Sequence, residues 1–313
     1  MKHNKYYKAD ILSAGQFTKE DVELVIEHAT EMREVVRTKD YSDILRGKIM
    51  TALFYEPSSR TFGSFIAAMQ RLGGGFIPLQ GVLYSSVSKG ETFSDTIQTF
   101  ASYSDVIVIR HPQIGAAKTA AEVSDKPIIN AGDGVGEHPS QALLDLFTIK
   151  DHFGNIDGIT ITFVGDLLNG RTVHSLVTLL SLYKPKVINF VAPAELRMPE
   201  DLVGQIQKTG VQTQVVETLD EVLGSSDVLY ITRVQKERFR DLDVYERLKH
   251  RYVITKETMQ AAKKTAVLMH PFPRIGEIET AIDSDPRALY IREQMPNGMY
   301  IRMALLSLVL GEK

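Results

Sequence analysis

Apolar residues recur along the chain in short runs that alternate with longer stretches of helical spacing. Val22, Val25, Ile26, Ala29, Met32 and Val35 fall on one face of a helix predicted over 18–37, with Thr18 as its N-cap ahead of Glu20 and Asp21. The run Ile49 to Phe54 reads as a buried strand. It is followed by Phe62, Phe65, Ile66, Met69 and Leu72 at helical spacing over roughly 58–72. Gly73-Gly74-Gly75 stops that helix, and Phe76 to Leu79 is a short strand. Further strands are expected at Val106–Ile109, Pro127–Asn130, Thr160–Val164, Val187–Val191, Gln212–Val216, Val228–Thr232 and Ala266–Met269. Helices are expected between them, near 92–102, 116–123, 138–147, 172–183, 199–209, 219–223 and 256–263, with a last one at about 299–310.

Alternation of this kind implies parallel sheets covered by helices. The series occurs twice, so the expectation is an α/β chain of two domains, each a parallel β-sheet flanked by helices. With no flexible linker near residues 140–155, the joint is expected to be a rigid helix. Ligands of open α/β sheets bind beyond the carboxyl ends of the strands, and that is where the unusual polar residues collect.

Composition narrows the chemistry. At 313 residues, 43% hydrophobic and 24% charged, the chain has the make-up of a globular protein with ample core. A net charge of −3 argues against nucleic acid or an anionic membrane as the main partner. There is no cysteine, which removes disulfides, thiolate nucleophiles and Cys-ligated metals. Neither a membrane-length apolar run nor the apolar core of a signal peptide is present, so the expected compartment is the cytoplasm.

Two lookalikes fail on inspection. Gly132-x-Gly134-x-Gly136 resembles a dinucleotide fingerprint, but Glu137 stands where G-x-G-x-x-G needs its third glycine. Gly165-x-x-x-x-Gly170-Arg171-Thr172 mimics a phosphate-binding loop with Arg in place of Lys, and a planar guanidinium does not replace a point charge. No His/carboxylate spacing suits a metal and no nucleophile–base pair stands out, so neither metal nor cofactor is expected.

What remains is a set of groups for anions. Pro57, Ser58 and Ser59 mark a helix start, whose backbone N–H groups attract phosphate; Thr61 and Arg60 add a hydroxyl and a guanidinium. Arg110, Arg171, Arg233 and Arg274 also sit at or near predicted strand ends. Arginine forks match phosphate and carboxylate, so this edge suits small, multiply anionic ligands. His138 and Gln141, three apart at a helix start, face one side and could polarise a carbonyl or amide. The site is expected to work by positioning and charge stabilisation.

In order along the chain stand Glu56-Pro57-Ser58-Ser59-Arg60-Thr61, Ser85-x-x-x-Lys89-Gly90-Glu91, Arg110-His111-Pro112, His138-Pro139-Ser140-Gln141, Gly165-Asp166-Leu167-x-x-Gly170-Arg171-Thr172, Thr232-Arg233-Val234-Gln235-Lys236-Glu237-Arg238 and His270-Pro271-Phe272-Pro273-Arg274. Together, over residues 47–310, they resemble the carbamoyltransferase family, on its aspartate-using side. The Ser-Ser-Arg-Thr-Phe-Gly-Ser-Phe form is similar to the domain within the animal multifunctional pyrimidine-synthesis protein.

The resemblance implies transfer of the carbamoyl group of carbamoyl phosphate to the α-amine of L-aspartate, in pyrimidine biosynthesis. It implies a carbamoyl-phosphate-binding domain at 1–140 plus 295–313 and an aspartate-binding domain at 141–294. Ser58, Ser59, Arg60, Thr61 and Arg110 would hold the phosphate, and Thr61, Arg110 and His138 would polarise the carbonyl. Gln141 and the Pro271-Phe272 backbone would bind the carbamoyl group, while Arg171, Arg233 and Gln235 would hold aspartate. Ser85 and Lys89, the latter also facing aspartate, would come from an adjacent subunit of a homotrimer. Glu56 would pair with Arg171 and Arg238 on domain closure. The resemblance leaves room for a regulatory or pathway partner chain.

Departures from the common pattern are Ser59 for Thr, Phe62 for Arg, Leu168 for Lys, Ser88 for a basic residue, and Gly276 for Asp or Asn. The alternatives are a carbamoyltransferase for another amine such as ornithine and a catalytically silent subunit. Arg233-Val234-Gln235 would repel a cationic side chain, and Arg60, Thr61, Arg110 and His138 are all present.

Overall fold

The computed structural model describes residues 4–81, 89–239 and 241–311. The chain divides into two compact units, Met1–Leu144 with Asn297–Lys313, and Asp145–Pro296.

In the first unit, helix α1 (Lys19–Lys39) starts at a Thr18 cap. The Thr18 hydroxyl accepts the Asp21 N–H, and Asp21 accepts the Thr18 N–H in return. The chain then alternates through β1 (Ile49–Phe54), α2 (Ser59–Arg71), β2 (Gly75–Gln80), α3 (Phe93–Ala101), β3 (Val106–His111), α4 (Ala116–Val123) and β4 (Ile128–Asp133). The four strands form a parallel sheet in the order β2-β1-β3-β4. β2 lies at an edge and half exposed, which is why it tolerates Pro78. Beyond β4, Ile11 adds a parallel bridge to Ile129.

β1 connects through α2 to β2 on one side, whereas β3 lies on the other side of β1. The strand order therefore reverses at β1/β3, and a crevice opens at such a switch point.

Helix α5 (Pro139–Phe153) runs from the first unit into the second. The second unit continues with β5 (Thr160–Val164), α6 (Arg171–Leu180), β6 (Val187–Val191), α7 (Glu200–Lys208), β7 (Thr213–Val216), α8 (Asp220–Leu223), β8 (Val228–Ile231), α9 (Leu242–Leu248), α10 (Lys256–Ala261) and β9 (Val267–Met269). Its parallel sheet has the order β7-β6-β5-β8-β9, so here the reversal falls at β5/β8. Val164, Val191, Leu229, Ile231, Leu268 and Tyr290 are buried together in its core.

Three departures from the sequence reading have local causes. Helix α9 was not expected; Asp241 caps it by accepting the Asp243 N–H, a short-range signal hidden in a strongly charged stretch. Gly75 belongs to β2, not to the helix stop, because its N–H donates to the Lys48 carbonyl at 2.8 Å. The last helix, α11 (Met295–Leu310), begins well before Met299. A π-helical turn (Tyr290–Gln294) feeds into it, and Pro296 sits in its first turn, where no N–H is missed.

Candidate active site

Both switch points carry the residues singled out above, and each is built from backbone geometry outward. In the first unit, buried Phe54 ends β1, and Tyr55 donates its N–H to the Arg110 carbonyl at 2.8 Å. Arg110 is paired in register with Phe54, the last residue of β1, four positions before Ser58. Ser58 occupies the N-cap of α2 and accepts the Phe62 N–H at 3.0 Å through its carbonyl; its side chain makes no capping bond. The hydroxyl is therefore not tied down as a cap. Ser59 and Arg60 in the first turn are exposed, and Thr61 is buried. Phe62 packs edge-on against Phe54 at 5.1 Å, so the position serves the core here.

The Arg110 guanidinium lies 3.4 Å from Glu56 and donates to the Ala131 carbonyl at 3.4 Å. Those two neighbours orient the fork along the end of β4. The following residue, His111, is enclosed by Tyr55 and Phe93, with ring centroids 4.7 and 5.2 Å away. Burial holds its imidazole below the ordinary histidine range, partly opposed by Glu56, the Gln113 N–H bond and Asp133. It packs as a neutral ring. The loop after β4 crosses close to this segment. Gly134 has φ +49°, and a Cβ there would stand 2.7 Å from the Pro112 carbonyl. A side chain at 134 would push the Arg110 loop away.

His138 accepts the N–H groups of Gln141 and Ala142 through its carbonyl, at 3.0 and 3.1 Å, and so caps α5, with Pro139 at the first helical position. His138 and Gln141 are both buried, at 3% and 8% exposure, and the Ser140 hydroxyl is 3.5 Å from His138 Nδ1. The phosphate-type helix start, the Arg110 fork, His138 and Gln141 thus all belong to the first unit. Lys89 is exposed, and Ser85 and Ser88 lie outside the described residues.

In the second unit, Gly165 ends β5 with φ +120°, and a Cβ there would stand 2.3 Å from the Thr232 carbonyl. Only glycine lets the strand ends of β5 and β8 approach this closely. Asp166, fully buried, then locks the two loops together: it accepts the Asn169 N–H at 3.0 Å and the Gln235 N–H at 3.2 Å. Burial raises its carboxyl above the ordinary aspartate range despite those donors. Gln235 adds a bond from its side-chain amide to the Asn169 carbonyl at 2.9 Å. Arg171 opens α6 just beyond this loop, and Leu168 is 44% exposed beside it.

Arg233 is held by both oxygens of Glu237. Burial disfavours its charge, but the Glu237 hydrogen bond and charge outweigh that, and the guanidinium titrates above the ordinary arginine value. Arg238 lies in the short turn that follows. After β9, buried His270 bonds Glu277 through Nε2 at 2.6 Å and accepts the Phe272 N–H at Nδ1 at 2.8 Å. The Pro271-Phe272 backbone, including a cis Phe272–Pro273 bond, is shaped around that ring. Gly276 has φ +125°, a conformation that suits glycine.

Arg274, like Arg233, is held by a carboxylate of this chain: it forms a two-pronged ion pair with Asp283, with Nη2 to Oδ2 at 3.0 Å, and approaches Tyr290. Sequence reasoning missed Asp166 and Glu277, since nothing in their spacing identifies them as partners of Gln235 and His270; it also missed Glu237, although its i,i+4 spacing from Arg233 was a readable signal. Among the described residues no group of three metal-ligating side chains comes together.

Comparison with known proteins agrees with this geometry. The family model for the aspartate/ornithine carbamoyltransferase carbamoyl-P binding domain matches residues 9–151, and that for the Asp/Orn binding domain matches residues 157–309. The multifunctional protein pyr1-3 of Dictyostelium discoideum is 50% identical over 301 residues, 96% of this chain, which spans 13% of that protein's length. The aspartate carbamoyltransferase catalytic subunit of Thermococcus kodakarensis is 47% identical over 96% of this chain and 97% of its own. A crystal structure of Trypanosoma cruzi aspartate transcarbamoylase with carbamoyl phosphate and aspartate superposes with a TM-score of 0.93 at 46% identity, covering 98% of both chains. With both family models matched in chain order and the charged groups of each at its sheet's switch point, the chain belongs to the aspartate/ornithine carbamoyltransferase family.

Proposed function

We infer that this chain is an aspartate carbamoyltransferase, converting carbamoyl phosphate and L-aspartate into N-carbamoyl-L-aspartate and phosphate, the committing step of pyrimidine synthesis. The observation that carries the reading is the pair of anion-binding groups at two sheet switch points. A helix start with Ser58, Ser59, Arg60 and Thr61 stands beside Arg110 in one unit, and Arg171, Arg233 and Gln235 share the loops of the other.

In this reading the first unit, Met1–Leu144 with Asn297–Lys313, binds carbamoyl phosphate, and the second, Asp145–Pro296, binds aspartate. The phosphate rests on the N–H groups of α2, the three hydroxyls, Arg60 and Arg110. Thr61, Arg110 and His138 donate to the carbonyl oxygen, while Gln141 and the Pro271 carbonyl orient the carbamoyl amide, beside Phe272. Arg171, Arg233, Gln235 and Lys89 hold the two carboxylates of aspartate. The α-amine attacks the carbonyl carbon as a C–N bond forms. The tetrahedral oxyanion collapses with cleavage of the C–O bond to phosphate, and the amine proton leaves with the phosphate. Donors aimed at that oxyanion supply roughly 3 kcal/mol each in comparable sites.

Ser85 and Lys89 are proposed to serve a neighbouring subunit of a homotrimer, and Glu56 to pair with Arg171 and Arg238 when substrate binds. No described helix is long and apolar enough to cross a membrane, and the cytoplasm is the proposed compartment. The reading is tested by supplying purified protein with carbamoyl phosphate and either L-aspartate or L-ornithine. Carbamoylated product from aspartate alone supports it, and product from ornithine alone overturns the assignment of Arg233 and Gln235.

A further inference from the structure

Asp145, on α5, is fully buried. A buried carboxylate is costly unless donors saturate its oxygens. Here the Tyr230 hydroxyl donates to Oδ2 at 2.6 Å, and the Gln294 amide donates to Oδ1 at 2.7 Å. Tyr230 and Gln294 are themselves 0% and 2% exposed, so neither donor has an alternative in water.

The direction of these bonds is fixed by the chemistry of one group. The backbone N–H of His270 can only donate, and Gln294 receives it on Oε1 at 2.9 Å. Gln294 must therefore turn its NH2 toward Asp145. Tyr230 has one hydroxyl proton and gives it to Asp145. The Thr172 side chain, hydrogen-bonded to the same phenol oxygen, must then be the donor in that bond. Thr172 points to Tyr230, Tyr230 to Asp145, Gln294 to Asp145, and His270 to Gln294.

The ends of this branched chain are informative. Thr172 follows Arg171 in the first turn of α6. Tyr230 lies in β8, three residues before Arg233. His270 follows β9 and shapes the Pro271-Phe272 backbone through its ring. These are the three segments that carry the aspartate and carbamoyl contacts of the second unit.

We propose that Asp145 is a positioning residue for the transfer reaction. Through Tyr230 it sets the stance of Arg171 and Arg233 toward the amino-acid substrate, and through Gln294 that of the Pro271 carbonyl. The proposal rests on the aspartate reading above. Apolar side chains of the same volume would fill this core without the desolvation cost. What they would lack is a single acceptor that orients three loops at once.

The test is Tyr230→Phe, which removes one hydroxyl and keeps the ring against Phe163, 5.3 Å away. Rates are measured with saturating carbamoyl phosphate and varied aspartate, alongside the calorimetric Kd for carbamoyl phosphate and the melting temperature. The half-saturating aspartate concentration is expected to rise about tenfold, the scale of one hydrogen bond to a charged group. The Kd for carbamoyl phosphate should stay within about twofold. Thr172→Val, at the partly exposed end of the chain, should shift aspartate in the same direction; Asp145→Asn should lower kcat as well, because it disturbs both arms.

A Tyr230→Phe protein with a lower melting temperature but wild-type response to aspartate would overturn the positioning role and leave a merely structural one. Should Tyr230→Phe fail to fold, Thr172→Val decides by the same criterion. Wild-type protein that does not carbamoylate aspartate at all would instead remove the underlying reading, and this proposal with it.

Discussion

The role proposed for Arg110 needs a guanidinium that stays charged, oriented and able to receive an anion while standing among buried residues. Glu56 and the Ala131 carbonyl meet the first two needs at 3.4 Å each, distances loose enough for an incoming phosphate to compete. His138 faces a different demand. Its backbone caps α5, so removing the imidazole leaves the helix start in place and isolates its contribution as a donor. His138→Ala is expected to lower kcat by about 10²–10³-fold with a much smaller change in the Kd for carbamoyl phosphate, as steady-state rates and calorimetry would reveal. At the other end of the chain, Glu277 is pulled two ways. Burial pushes its carboxyl up, but the hydrogen bond from His270 prevails and holds it below the ordinary 4.5. A carboxyl depressed on folding stabilises the protein above its unfolded value, and the gain is lost as pH falls through the folded value. Glu277→Gln should therefore flatten the fall in melting temperature below about pH 4.5, as read by thermal melts across a pH series.

Among the elements, the strand ends decide what the site can be. Two glycines permit close passage of backbone, and each sits where a loop carrying charged residues crosses a second loop: Gly134 beneath Pro112 and Gly165 beneath Thr232. Gly165→Ala would place Cβ 2.3 Å from the Thr232 carbonyl at φ +120°, so strain and collision act together. A loss of about 3 kcal/mol or more is expected in denaturant unfolding, with aspartate response weakened in whatever protein folds. Elements of this kind were largely legible in the sequence. Runs such as Thr160–Val164 and Val187–Val191 are rich in β-branched and aromatic residues because parallel strands are buried on both faces, and they appear with the expected bounds. Short polar elements such as α9 were not legible, because a single capping aspartate carries their signal.

For the whole molecule, the charged candidates could be found from sequence because catalytic and binding groups stand at strand ends, a position that periodicity locates. Their supports could not. Asp166, Asp145 and Gln294 meet Gln235, Tyr230 and His270 only after distant segments fold together, with Tyr230 and Asp145 separated by 85 positions. The same blindness applied to Arg274, which looked like a ligand group and is bound to Asp283. Lys89, exposed in the described chain, has its proposed role only in an assembly. If active sites are shared in a trimer, His138→Ala and Lys89→Ala proteins that are separately weak should regain activity when mixed and reassembled. Unchanged activity in mixed trimers, verified by mass spectrometry, would confine each site to one chain.

The central claim is a division of labour, with a phosphate cradle on one unit and dicarboxylate groups on the other. Calorimetric titration of carbamoyl phosphate into Arg60→Ala and Arg233→Ala proteins tests it most directly. The account predicts that Arg60→Ala weakens binding by about tenfold or more, while Arg233→Ala binds within about twofold of wild type and loses its response to aspartate. Equal loss of carbamoyl phosphate binding in both variants, or loss in Arg233→Ala alone, would contradict it.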